Sequence, residues 1–267
     1  MSVSLTILFT LCVASDQNRS VDALLSTGHQ FLKTGRIAEA ESIFREAVRI
    51  LDTNSASPTA ELAVGLNNLA TALAARHQFE RALPVIRRAL FIAAQTLDAP
   101  ATAQIAANAA QVYIRMGDFG AAKPLVIQAE QACSNTTSSP QFEYVLLLRA
   151  ELHLAEKNWQ QTHAALDLAQ QRVGSAPHQV TVGIHHLRGL VWQKSGNRAA
   201  AVNEFRAAVE IARQLPDWEE SLDSNEFLLH LRDALRQNHQ RQLARVVDQE
   251  LRVRRKKVNR STAIQNL

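Results

Sequence analysis

Cysteine is almost missing from this chain: Cys12 and Cys133 are the two in 267 residues. So sparse a supply excludes a disulfide framework, and there is no C-x-x-C pair to suggest a structural metal. Glycine (9), proline (7) and aromatic residues (5%) are also few. A sheet protein needs frequent turns and β-forming side chains, so this scarcity argues against strands. The signatures G-x-x-x-x-G-K-[ST], G-x-G-x-x-G, H-E-x-x-H and G-x-S-x-G are absent, which leaves an enzyme reading without residues to stand on. No catalytic residue, metal ligand or cofactor is therefore expected. Residues 3–14 form one uncharged, mostly apolar run, too short to cross a bilayer, which takes ~20 residues.

That stretch has the length of a signal-peptide core, and Val13-Ala14-Ser15 resembles a cleavage site before Asp16. No basic residue precedes it, so residues 1–15 read either as a signal peptide or as a leading apolar helix. Export to a periplasmic or extracellular location is favoured over the cytoplasm. Three N-x-[ST] triplets begin at Asn18, Asn135 and Asn259 and matter only if the chain enters a eukaryotic secretory route. The formal charge of +4 is unevenly placed. Residues 252–260, RVRRKKVNR, carry six basic groups and no acid, so the body is near neutral and the basicity sits in a tail.

What the chain has in quantity is alanine, leucine, glutamine and arginine, all good helix formers, and the small residues recur. Gly28, Ala70, Ala110, Ala150 and Gly189 stand 39 to 42 residues apart. Twelve residues after each comes Ala40, Ala82, Ala122, Thr162 or Ala201, and seven further on Ala47, Ala89, Ala129, Ala169 or Ala208. The inner spacings are constant and only the outer one varies, as in a stack of hairpins joined by connectors of unequal length. Three residues after the first small position come Phe31, Leu73, Tyr113, His153 and Trp192; four after the second come Phe44, Ile86, Val126, Leu166 and Phe205. Offsets of three and four place these on one helical face, so each small residue admits a neighbouring helix and each large one fills the space beside it. Gly35, Gly117 and Gly196 mark the turn inside a unit, where a left-handed residue ends a helix; His77 and Lys157 take that place in two units, implying strain or a different cap. Five prolines, Pro58, Pro100, Pro140, Pro177 and Pro216, fall in the connectors. Pro84 and Pro124 share an early position in the second helix, where a missing N–H is expected to cost little.

The units TGHQFLKTGRIAEAESIFREAV (27–48) and RGLVWQKSGNRAAAVNEFRAAV (188–209) resemble the tetratricopeptide repeat, and LNNLATALAARHQFERALPVIRRALFI (66–92) is similar to the ~40–42-residue repeat of kinesin light chains. The resemblance implies an all-α, right-handed superhelical solenoid over residues 21–251, with five clear repeats and a degenerate C-terminal capping pair. In that pair Arg232 and Leu251 fill two of the small positions and Ala244 keeps the third. Residues 252–267 are expected to be a disordered basic tail. The family's first helices line a concave face, which places the ligand-binding candidates at Asn67, Asn68, Thr71, Asn108, Gln111 and Arg115. An amide offers a donor and an acceptor, matching the peptide group; the competing reading has the asparagines tie neighbouring helices together with no ligand. Nine histidines invite a metal, and HHLRG at 185–189 is the densest site, but adjacent helical residues point ~100° apart and cannot easily share an ion. The expected function is a non-catalytic scaffold with a protein or peptide partner. A peptide-responsive regulator, and nucleic-acid or membrane association through the tail, are the alternatives.

Overall fold

The computed structural model describes residues 20–54, 57–134, 140–174, 179–215 and 223–265. The segment 1–15 lies outside them. Among the described residues there are twelve helices and no strand. They are α1 (20–33), α2 (Ile37–Asn54), α3 (Ala60–Ala75), α4 (Phe79–Thr96), α5 (Ala99–Met116), α6 (Phe119–Ser134), α7 (Pro140–Ala155), α8 (Trp159–Val173), α9 (Gln179–Lys194), α10 (Arg198–Ala212), α11 (Asp223–Gln237) and α12 (Arg241–Gln265). Odd and even helices pair as six hairpins, the solenoid the repeat predicts. Two compact units divide the chain, Met1–Thr137 and Ser138–Leu267, each with three hairpins. In the first, α3 packs on α2, α4 and α5, and α5 on α4 and α6. In the second, α9 packs on α7, α8 and α10, and α11 on α10 and α12.

One turn joins the helices of every hairpin. Its left-handed residue is Gly35 (φ 70°), His77 (58°), Gly117 (79°), Lys157 (58°), Gly196 (88°) or His239 (59°). In each case its N–H donates to the carbonyl three residues back, and the next N–H donates to the one five back. His77 N to Ala74 O is 2.9 Å and Gln78 N to Leu73 O is 3.0 Å; Lys157 N to Leu154 O is 3.1 Å and Asn158 N to His153 O is 2.8 Å. The double bond satisfies carbonyls the helix end would otherwise orphan. His77 and Lys157 therefore keep the same cap as the glycines, at the steric cost of a Cβ in left-handed backbone. His239 shows that the degenerate last unit is a sixth hairpin built the same way.

The small positions are all buried. Ala70, Ala110, Ala150 and the third-position alanines Ala47, Ala89, Ala129, Ala169 and Ala208 have no exposed surface. Buried Thr162 donates its hydroxyl to Asn158 O at 2.8 Å, so its polarity is satisfied. The choice between glycine and alanine at the first position follows the residue it faces. A Cβ on Gly28 would lie 2.4 Å from the Phe44 ring, and one on Gly189 would lie 2.6 Å from Phe205. The units with alanine there carry Ile86, Val126 and Leu166 instead of phenylalanine. Where a flat ring fills the hairpin, no room remains for a methyl group. In the sixth hairpin these two positions are Arg232 and Asp248, 3.8 Å apart, and Arg236 reaches the same carboxylate at 2.7 Å. In this hairpin an apolar contact has become an ionic one.

Two expectations change. Pro84 and Pro124 are each the sixth residue of their helices. They lie beyond the four N–H groups a helix leaves unpaired, so each removes one ladder bond. The tail does not become irregular after Leu251: α12 continues as helix to Gln265. Residues 241–267 contain neither glycine nor proline to stop it and are rich in arginine, lysine and glutamine.

Candidate binding face

The residues predicted to face a ligand on α3 and α5 are polar side chains on apolar helices, and most engage one another. Asn68 Nδ2 lies 3.2 Å from His29 Nε2 on α1. Asn108 Nδ2 donates to Asn67 Oδ1 at 3.0 Å, joining α5 to α3. Asn67 and Asn68 are 8% and 6% exposed, so these amides bond helix to helix inside the face. Thr71 is exposed and donates its hydroxyl to Asn67 O at 2.9 Å. Gln111 is half-buried and Arg115, in the last turn of α5, is exposed. The structure thus ties Asn68 to α1 and Asn67 to the half-buried Asn108, and leaves Thr71 and Arg115 exposed, with Gln111 half-buried.

The same register is occupied in the second unit by different chemistry. Asn67 and Asn108 stand three and two residues before their first small positions, as do His186 and His230. His186 Nε2 on α9 meets His230 Nδ1 on α11 at 2.6 Å, with the rings stacked at 4.8 Å. Phe227 packs edge-on against His186 at 4.9 Å, and Phe205 lies 5.8 Å from it. Burial pushes the His230 imidazole below its ordinary value, against the carboxylates of Glu226 and Asp233, which pull it up. His185 turns the other way and meets Glu204 on α10 at 2.7 Å. The neighbouring histidines therefore diverge, as their ~100° separation requires.

Sequence reasoning passed over His230 and Glu226. Both lie in the hairpin read as degenerate, yet the 12-residue spacing from Arg232 to Ala244 already placed His230 opposite His186. It also passed over Glu41. This carboxylate is 5% exposed on α2 and accepts from Arg45 and from Arg76 at the end of α3; Arg81 on α4 is 3.7 Å away. Burial raises its pKa, but the hydrogen bonds from Arg76 and Arg45 outweigh that and hold the carboxyl below the usual value. Cys133 is buried and its thiol is pushed up by burial, which suits an inert packing residue. Among the described residues no helix is long and apolar enough to cross a membrane.

Comparison with known proteins agrees with this architecture. Residues 61–134 match the family model of the tetratricopeptide repeat. No curated protein matches the chain in sequence. Among solved structures it resembles BtubC from P. vanneervenii, at 14% identity and TM-score 0.56, over 90% of this chain and 92% of that one. It resembles a kinesin light chain-like repeat protein of Podosopora anserina at 18% identity and TM-score 0.57, over 72% and 94%. It also resembles a Rap protein solved with competence and sporulation factor, at 14% identity and TM-score 0.67, over 91% and 65%. The chain carries tetratricopeptide repeats, matched at residues 61–134, and its fold is the helical repeat solenoid of tetratricopeptide proteins.

Proposed function

We propose that the protein is a non-catalytic scaffold that binds a protein or peptide segment on the first-helix face of its N-terminal unit. The observation that carries this reading is the division of labour among the six polar residues there. Asn67, Asn68 and Asn108 hold α1, α3 and α5 at fixed spacing, and Thr71 and Arg115 are exposed on that frame beside the half-buried Gln111. A rigid frame bearing a few outward donors and acceptors suits an extended peptide, whose backbone offers both at regular intervals. The Rap protein with the same fold was solved bound to competence and sporulation factor, which lends support to a peptide-responsive regulator as the second reading.

An immobilised peptide library probed with wild type, Gln111→Ala/Arg115→Ala and Asn67→Ala tests the proposal. The outward pair is expected to lose peptide capture with a smaller fall in melting point than Asn67→Ala, which lowers the melting point first. Equal capture by the outward pair and wild type would remove this face from consideration.

A further inference from the structure

The trio at one register differs between the units. In the first it is Asn67 on α3 with Gln104 and Asn108 on α5, amides throughout. In the second it is His186 on α9 with Glu226 and His230 on α11. Every member has become a side chain that ligates metals, and their ligand atoms lie within 4.8 Å of one another.

We propose that His186, Glu226 and His230 form a three-ligand site for a divalent transition-metal cation of the zinc class, bridging α9 and α11. Glu226 and His230 are four residues apart on one helix, so both project to the same side and can close on one ion. His186 supplies the third ligand from the adjacent helix, through the Nε2 atom that already faces His230 Nδ1. Two imidazoles and a carboxylate are a borderline donor set, suited to zinc, cobalt or nickel and poorly suited to calcium or magnesium. A tetrahedral ion with ~2.1 Å bonds holds its ligand nitrogens ~3.4 Å apart, so the 2.6 Å pair opens by less than an ångström to admit it. Asp233 adds a carboxylate near His230, its charge shared with Arg232 at 2.7 Å. The rings of Phe205 and Phe227 flank His186, so the ion would be partly shielded from water, which strengthens its attraction to the carboxylates. Glu226 and His230 retain some exposure, which gives an ion access and leaves a fourth position for water. This inference is independent of the peptide-binding reading, which concerns the other unit.

The experiment is titration of the full chain with Zn²⁺ by calorimetry, and with Co²⁺ by visible absorption. Wild type is expected to bind one ion, to melt at a higher temperature with Zn²⁺ present, and to give the intense d–d bands of a four-coordinate Co²⁺ centre. His230→Gln and Glu226→Gln are each expected to weaken binding at least about tenfold. Glu226→Gln keeps the imidazole pair and so separates ligand loss from loss of the interhelical tie. His185→Gln, on the opposite side of α9, serves as the control and should bind as wild type does. A wild type without saturable one-to-one binding, or Glu226→Gln and His230→Gln that bind as tightly as wild type, would overturn the proposal and leave an ordinary hydrogen-bonded histidine pair.

Discussion

Gly189→Ala offers a direct test of the packing, because two known effects oppose each other there. An alanine in the middle of a helix is favoured over glycine by about 1 kcal/mol, so on propensity alone the substitution stabilises α9. The structure predicts the reverse. The added Cβ would lie 2.6 Å from two atoms of the Phe205 ring, which is 1% exposed, whereas ordinary contact begins near 3.4 Å. Ring or helix must move by roughly 1 Å in a close-packed interior, and overpacking of this kind costs about 1–3 kcal/mol. The net expectation is destabilisation of up to about 2 kcal/mol. Phe205→Leu alone should also destabilise, by about 1–2 kcal/mol, through the space it leaves.

The decisive measurement is the double variant. Gly189→Ala with Phe205→Leu reproduces the pairing of Ala150 with Leu166 one unit earlier. The methyl group then enters space the ring vacated, so the two losses should cancel in part. A coupling of at least about 1 kcal/mol in favour of the pair is expected from denaturant unfolding followed by far-UV circular dichroism. Gly189→Ala that stabilises by its full propensity value, or single effects that simply add, would refute the claim that the ring dictates the glycine.

Two other outcomes follow from the buried carboxylate and the turns. Glu41→Gln should lower stability by about 1–3 kcal/mol at neutral pH, because the arginines lose their charged acceptor but can still turn toward water. The folded-state pKa of Glu41 lies below its ordinary value, so its contribution is complete above about pH 4.5 and is lost as pH falls through the lower folded value. The gap between wild type and Glu41→Gln in denaturation midpoint should therefore shrink as pH falls below the ordinary carboxylate value; a constant gap would count against the ion cluster. At the turns, His77→Gly should raise stability by about 0.5–1 kcal/mol by relieving left-handed strain, measured as a shift in denaturation midpoint. Gly196→Ala should lower it by about 1 kcal/mol: a Cβ there meets nothing within 4 Å, so the loss isolates the backbone term.

Much of the fold was legible because the sequence repeats its own constraints. A position that must be small in order to admit a helix is small in each of the first five units, and five copies separate that rule from chance at Ala47, Ala89, Ala129, Ala169 and Ala208. The sixth hairpin was only half legible. Arg232 and Asp248 obey the same geometry with ionic chemistry, which a search for small and large apolar residues does not register. The candidate face was legible as a set of positions, but its bonding was not. Asn67 with Asn108 and Asn68 with His29 are interactions across about forty residues, and nothing local in the chain distinguishes an amide that bonds a neighbouring helix from one that awaits a ligand. The helical tail was misread for a related reason. Its lack of apolar period removed the signal for a packed helix, while the absence of any stopping residue left the propagation of α12 unopposed.

The positions three and two before the first small residue meet between α3 and α5 and again between α9 and α11. Between α3 and α5 they hold Asn67 and Asn108; in the other unit, Leu147 and Leu187 stand there on α7 and α9, and His186 and His230 on α9 and α11. One geometry is thus filled by an amide pair, an aliphatic pair and an imidazole pair. The alanines and glycines admit the neighbouring helix, and the facing pair ties it in place. Chemistry at this register can therefore vary without disturbing the fold, whereas a change at the small positions cannot. The place to look for what distinguishes this chain from others of its fold is accordingly this facing pair and the residue four before its second member, which here reads Gln104 in one unit and Glu226 in the other.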